Sequence, residues 1–287
     1  MWVVLSFLTA VCEAAKDGLC KKSLTTLDVL TISWAWKALS LPFILPLLLF
    51  TEIPDQLPAR FWWSLAVGGS LNILATVIYI KALEKTDLSI ALPLLSFTPV
   101  FLLVTSPVMV GDRPGEWGYL GVLFIFAGSY LLGIRERQTV LSPLKALFRD
   151  QGARLMLVVA LIWSLAANVD KTGVLSSSPF FWAVSVQSFI AAGLSIILWV
   201  KRPARTGLKA GELKLLFLTG LFTGAGLIFQ MSAISTGLVP YVIAIKRTSI
   251  VMGVLAGGWL FMEKDLKIRL AASVVMLAGV IIIAVLS

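Results

Sequence analysis

The sequence predicts an all-α polytopic membrane protein with ten transmembrane helices, arranged as two inverted five-helix repeats. Three observations carry this prediction. Apolar residues form runs long enough to cross a bilayer, the second half repeats spaced features of the first, and basic residues fall mostly in alternate connectors. Of 287 residues, 59% are hydrophobic and only 14% charged, where a soluble domain carries about 25%. Mean hydropathy is +0.95. Residues 61–80, 88–111, 172–200 and 215–245 contain no Asp, Glu, Lys or Arg. Roughly 20 apolar residues cross the hydrocarbon core as a helix, so each run is one span or a pair. Buried helices of soluble proteins are usually shorter and amphipathic, which sets the soluble class aside.

Taken in order, the spans are predicted at 2–21, 28–50, 61–81, 87–110, 116–134, 153–173, 180–200, 213–234, 237–262 and 268–286. The first is read as a genuine span, because Met1-Trp2-Val3-Val4 is no cationic leader and no cleavage site precedes a hydrophilic domain. It carries Cys12 and Cys20, which lie about 12 Å apart on one helix, too far for a disulfide. Pro54-Asp55-Gln56-Leu57-Pro58 separates spans two and three. Pro93, Pro99 and Pro107 predict kinks in span four that could act as hinges. The connector 135–152, rich in Arg and Lys, divides a first repeat (1–134) from a second (153–287). Ser235-Thr236-Gly237 is a turn signal that splits the run 215–245, and Pro240 stands near the start of the ninth helix. Gly68, Gly69, Gly224, Gly226, Gly253, Gly257 and Gly258 favour close helix packing. Trp62, Trp63, Trp117 and Trp182 fit interfacial belts, while Trp34 and Trp36 are deeper and could line a cavity.

A shift of 151 residues lays Glu263-Lys264 on Asp112-Arg113 and Ala278-Gly279 on Ala127-Gly128. The same shift pairs Gly220 with Gly69, Ala233 with Ala82 and Val251 with Val100. Nearer the start, a shift of 155 pairs Lys171 with Lys16 and Gly173 with Gly18. Five spans per half is odd, so the second half enters the membrane upside down. Inverted repeats are a structural signature of secondary transporters, with the substrate site near the midplane where the halves meet.

The charge pattern gives an orientation. The odd-numbered connectors hold Lys16, Lys21, Lys22; Lys81, Lys85; Arg135, Arg137, Lys145, Arg149, Arg154; Lys201, Arg202, Arg205, Lys209, Lys214; and Lys264, Lys267, Arg269. The even ones hold only Arg60, Arg113 and Lys171. Cytoplasmic loops carry the excess of Lys and Arg, so both termini are expected outside. The net charge of +9 is therefore topological, and no nucleic acid partner is expected. With no His in the chain, a His-containing metal site and His-based acid–base catalysis are excluded. No nucleophile–base motif, metal cluster or Gly-rich phosphate loop stands out. An enzyme is not expected, nor a cofactor or metal; the partners are a small-molecule substrate and the lipid bilayer, with protons a candidate coupling ion.

The stretch Tyr79-Ile80-Lys81-Ala82-Leu83-Glu84-Lys85-Thr86-Asp87, then Pro99, Gly111-Asp112-Arg113 and Ala127-Gly128, resembles one EamA-type domain. Ala233 to Thr236, Glu263-Lys264 and Ala278-Gly279-Val280 are its counterpart. The chain resembles the EamA family of the drug/metabolite transporter superfamily over essentially its whole length. Asp112 stands where that family usually has Glu. The resemblance implies ten helices in a basket around a central cavity and transport by alternating access. It also implies substrates such as amino acids and other metabolites, phosphorylated sugars or nucleotide sugars, and a bacterial or archaeal cytoplasmic membrane. Several members are thought to keep both termini in the cytoplasm, against the charge count here.

Ionisable groups at mid-membrane cost roughly 2.5–3.5 kcal/mol each and are functional candidates by default. Lys246-Arg247 lies about ten residues into span nine, where the repeat has Leu95-Ser96. Adjacent helical residues diverge by about 100°, so one is expected to face the cavity and the other a neighbouring helix. Anion binding and an internal salt bridge are both open. Plastid phosphate translocators carry a similar Lys-Arg in the corresponding helix, which by resemblance suggests an anionic substrate. Lys37 in span two, with its repeat partner Gln187 in span seven, is either a substrate contact or structural. Glu13 with Lys16 and Asp17, and Asn168, Asp170 and Lys171, are counterparts in spans one and six. Glu13 and Lys16 have the spacing of a helical ion pair; alternatively Glu13 or Asp170 is a proton acceptor coupling transport to a gradient. Asn72, Tyr79, Gln230, Ser96 and Thr98 are polar groups that either join helices or touch substrate. The leading expectation is a secondary transporter of a small anionic or zwitterionic metabolite. The alternatives are a neutral amino-acid or drug exporter with Lys246 and Arg247 paired internally, and a lipid-phosphate flippase or membrane enzyme subunit.

Overall fold

A computed structural model describes residues 1–51, 54, 56–86, 94–132, 150–201, 209–252 and 266–286, and none of these lies in a strand. The helices are α1 (Trp2–Ser23), α2 (Val29–Ala38), α3 (Leu41–Ile44), α4 (Ala59–Lys85), α5 (Phe97–Met109), α6 (Glu116–Leu132), α7 (Gln151–Leu175), α8 (Pro179–Lys201), α9 (Ala210–Thr236), α10 (Val239–Lys246) and α11 (Leu266–Leu286). They make the ten predicted spans, because α2, α3 and the 3-10 turn Leu45–Phe50 follow one another through a single span. Pro42 and Pro46 cause that interruption, since neither can donate an amide to the turn before it. Among the described residues, five spans are long and apolar enough to cross a membrane by length and composition, Ala59–Lys85 and Ala210–Thr236 among them. Asp55, Asp87, Pro93, Arg135, Arg137, Lys145, Arg149, Arg202, Arg205, Gly253, Gly257, Gly258, Glu263 and Lys264 lie outside the described residues.

Helix ends follow ordinary capping chemistry. Asp28 Oδ1 accepts Leu30 N and Thr31 N at 2.9 and 3.0 Å, satisfying donors that a first turn leaves orphaned. Its repeat counterpart Ser178 accepts Phe181 N. Asp150 caps α7 through Ala153 N at 2.9 Å. The predicted span 61–81 is longer in the structure: α4 continues through Lys81, Glu84 and Lys85, all exposed, because charged residues end a hydrophobic run without ending a helix.

The two halves interlock, and the packing obeys the repeat. α1 lies along α9 as α4 lies along α7, and α6 pairs with its own counterpart α11. Small residues make these approaches possible. A Cβ on Gly128 would strike Met276 and the Ala272 carbonyl, and one on Gly279 would strike the Gly121 carbonyl and Ile125. The Ala-Gly pair common to both fifth spans is thus a helix crossing point. Gly69 likewise admits Phe189, while its counterpart Gly220 meets Leu39, the residue that corresponds to Phe189.

Hydrogen bonds at the span ends follow the same symmetry. Lys21 Nζ donates to the Leu83 and Thr86 carbonyls at 2.5 and 3.0 Å. Lys171 Nζ donates to the Gly237 carbonyl at 3.3 Å, and Gly237 is the counterpart of Thr86. The expected pairing of Lys16 with Lys171 is therefore corrected. Lys21 holds the equivalent place, and Lys16 is buried more than a turn deeper. Asp112 completes one end: both its oxygens take Lys171 Nζ, at 2.6 and 2.8 Å, and Oδ2 also accepts Val239 N at 2.8 Å at the start of α10. Nearby, Trp2 stacks on Tyr241, whose hydroxyl accepts Gly115 N.

Candidate functional site

Spans four and nine loosen at the same repeat position. α10 ends at Lys246 and turns through Arg247 and Thr248 before helix resumes. Arg247 N is shared between the Ile243 and Ala244 carbonyls at 3.3 and 3.0 Å, and Thr248 N reaches back only to Ile245, at 3.0 Å. Such three-residue bonds mark a tightened turn. In span four the turn falls at Ser96, just before α5. Arg247 bridges the two breaks, its terminal nitrogen donating to Thr98 Oγ1 at 3.0 Å.

A cavity of about 90 Å³ lies beside these breaks, lined near the middles of α1, α4, α7, α8 and α9 and by the last turn of α2. Of the candidates named from sequence, Glu13, Lys37, Asn72, Asp170, Gln187, Gln230, Lys246 and Arg247 all contribute to its wall. Lys246 and Arg247 both face it, which departs from the expected division between cavity and neighbouring helix. The 100° rule applies to a continuous helix, and this one ends between the two residues.

Most of the charge is already answered. Glu13 Oε1 meets Lys16 Nζ at 2.8 Å and Oε2 meets Lys246 Nζ at 3.2 Å. Lys16 also pairs with Asp17 at 2.7 Å, and Asp17 accepts the Tyr79 hydroxyl at 2.5 Å. Lys246 further donates to Gln230 Oε1 at 2.9 Å. These contacts tie α1, α4, α9 and α10 together, and a buried charge needs such partners. Tyr79 stands behind the network, packed against Trp36 and Trp163 and away from the cavity wall.

Other groups in the wall are not answered. Lys37 is 9% exposed; its ammonium lies 4.5 Å above the Trp36 ring, and among the described residues it has no carboxylate within ion-pair distance. Arg247, 3% exposed, also has no carboxylate at that distance, and its Nε is buried without a partner. The Trp36 indole N–H is likewise buried and unpartnered. Asp170 accepts one bond, from Trp182 Nε1 at 3.1 Å. Gln187 donates to the Lys37 carbonyl at 3.1 Å and to Ser40 Oγ at 2.6 Å, so these repeat partners meet across the pseudo-axis. That contact depends on the interruption after α2. Asn72 donates to the Gly68 carbonyl one turn back, at 3.0 Å.

Two tryptophans are corrected. Trp182, expected at an interface, is fully buried and lies against Gly173, where any Cβ would collide with its indole. Trp34, expected as a cavity residue, instead donates to Ser195 Oγ at 2.8 Å and does not line the cavity. Sequence reasoning missed Trp163 and Phe222, which supply aromatic wall. The spacing Trp163, Ala166, Ala167, Asp170 is one helical face, and extending the Asp170 face backwards would have found Trp163.

The model of the EamA-like transporter family matches the chain twice, over residues 1–134 and 151–285. An uncharacterized transporter of Archaeoglobus fulgidus is 23% identical over 290 residues, covering 99% of this chain and 96% of the relative. An uncharacterized transporter in the cobO 3′ region of a Sinorhizobium species is 30% identical over 81 residues, 28% of this chain. That match spans 57% of the relative's length. A protein of known crystal structure superposes with a TM-score of 0.76 at 15% identity, over 99% of this chain and 96% of that one.

Proposed function

The chain belongs to the EamA-like transporter family, and from that premise we propose that its central cavity binds a small anionic or zwitterionic metabolite and carries it by alternating access. The observation that carries this reading is the pair of cations, Lys37 and Arg247, that face the cavity with no carboxylate within ion-pair distance among the described residues. One comes from each half. In a low-dielectric site an unanswered cation is an attraction for an anion, and Arg adds a fork suited to carboxylate or phosphate. The unpartnered Trp36 indole and Arg247 Nε are further donors without acceptors. The broken helix at Lys246 fits the general design in which transporter sites form at interrupted spans.

Lys246 has a different part in this reading. Its pairing with Glu13 makes it the ion held until substrate arrives, and Glu13 is a carboxylate that could carry the coupling proton, with Asp170 the other candidate. Both termini are placed outside, in a cytoplasmic membrane, on the strength of the Lys and Arg bias. A second reading, a neutral amino-acid or drug exporter, draws on the Lys246–Glu13 ion pair itself, which satisfies one cation internally.

The test is uptake by proteoliposomes against phosphorylated sugars, carboxylates and neutral amino acids. Lys37→Met and Arg247→Met should each weaken competition by anions about tenfold or more, the range for truncating one side of a buried charge contact. Transport of neutral amino acids alone, unaffected by both substitutions, would leave the second reading standing in place of the first. A pH-gradient dependence that survives in Glu13→Gln would remove Glu13 from proton coupling.

A further inference from the structure

The unanswered groups in the cavity are not all of one sign. Lys16 and Lys246 are matched by Glu13 and Asp17. Among the described residues that line the cavity, what remains is two cations, Lys37 and Arg247, and one carboxylate, Asp170. Asp170 is 6% exposed and lines the cavity. Its Oδ1 accepts the Trp182 indole, and its Oδ2 has no partner among the described residues. Lys37 and Asp170 stand on different helices and do not reach ion-pair distance of each other. A purely anionic ligand would answer the cations but place more negative charge beside a carboxylate that already has no cation among the described residues. A buried charge is stable only when paired, so the occupied site calls for both signs.

We infer that Asp170 holds an ammonium group of the substrate, and that the substrate carries this ammonium together with two acidic groups, as a small acidic amino acid does. One ammonium answers Asp170 and two acidic groups answer Lys37 and Arg247, which leaves the occupied cavity without surplus charge. Trp182 fixes the orientation of the Asp170 carboxylate, and Gly173 makes room for Trp182. The inference rests on the proposed anion-binding role of the cavity and adds a selecting residue at its other pole.

The experiment is competition for uptake by the full chain in proteoliposomes, using matched pairs with and without the amine: aspartate with succinate, and glutamate with glutarate. Leucine is the neutral control. In the wild type the amine-bearing member should compete about tenfold or more better than its partner, and leucine should compete worse than either acidic amino acid. Asp170→Asn should bring each pair within about twofold by weakening only the amine-bearing member, whereas Lys37→Met should weaken both members alike. Equal competition within the wild-type pairs, leucine competing as well as aspartate, or equal loss of both members in Asp170→Asn would each overturn the inference. The last result assigns Asp170 to folding or proton transfer. If folding of Asp170→Asn fails, the wild-type pairs and Lys37→Met still decide. Dicarboxylates that compete as well as the amino acids sink this inference alone; failure of all four acids to compete sinks the anion reading with it.

Discussion

Lys246 and Arg247 are neighbours in sequence with opposite situations in the fold. Lys246 has Glu13 and Gln230; Arg247 has a threonine hydroxyl and an orphaned Nε. Residue type made both visible as costly intramembrane cations, but their partners come from other helices, Glu13 on α1, Gln230 on α9 and Thr98 on α5. The Glu13 pairing predicts a specific coupling. Removing one partner of a buried ion pair costs about 3–5 kcal/mol, while removing both can be nearly neutral. Glu13→Gln and Lys246→Met should each lower the melting temperature in detergent, and the double variant should lose clearly less than the two losses combined. Strictly additive losses would mean that the pair contributes no coupling.

The informative elements are those that stop short. α2 ends before Pro42, and α10 ends at Lys246. The first break lets Gln187 reach the Lys37 carbonyl; the second turns both basic side chains toward one cavity. Pro42 and Pro46 account for the first break, which the single span predicted at 28–50 did not include, and nothing in the local sequence around Lys246 announces the second. The span ends carry their own prediction. Asp112 joins Lys171 to the start of α10, linking a connector of the first half to two elements of the second. Asp112→Asn and Lys171→Met should each destabilise the protein, by about 1–3 kcal/mol for a group left unsatisfied. Together they should be less than additive. Independent effects in a thermal-unfolding cycle would show that the contact does not join these elements energetically.

For the whole molecule, the two halves are bound into one body by exchange. α1 packs on α9 and α4 on α7, so neither half holds a complete site: Lys37 and Glu13 come from the first, Asp170 and Arg247 from the second. The proposed alternating access would require contacts at one end of the cavity to break as those at the other form. The charge count makes a prediction at this scale. Ser287→Cys should react with a membrane-impermeant thiol reagent added outside intact cells if the basic connectors face the cytoplasm, as the Lys and Arg bias predicts. Cys12 and Cys20 are buried and free, so the background should be low. Labelling only after the cells are opened would reverse the assigned orientation.

By itself the sequence determined the span count, the repeat and the identity of the intramembrane charges. Each of these is set by hydropathy, by chain length per crossing and by the cost of a charge in hydrocarbon, all local or periodic properties. Whether a charge is answered was decided only by the tertiary structure. Lys16 and Lys37 are both basic and deep, yet among the described residues one pairs with two carboxylates and the other with none. Tyr79 and Trp36 pack against each other, yet only Trp36 reaches the cavity. Partnership depends on which helix faces are brought within a few ångströms of each other, and that is a property of the packed body.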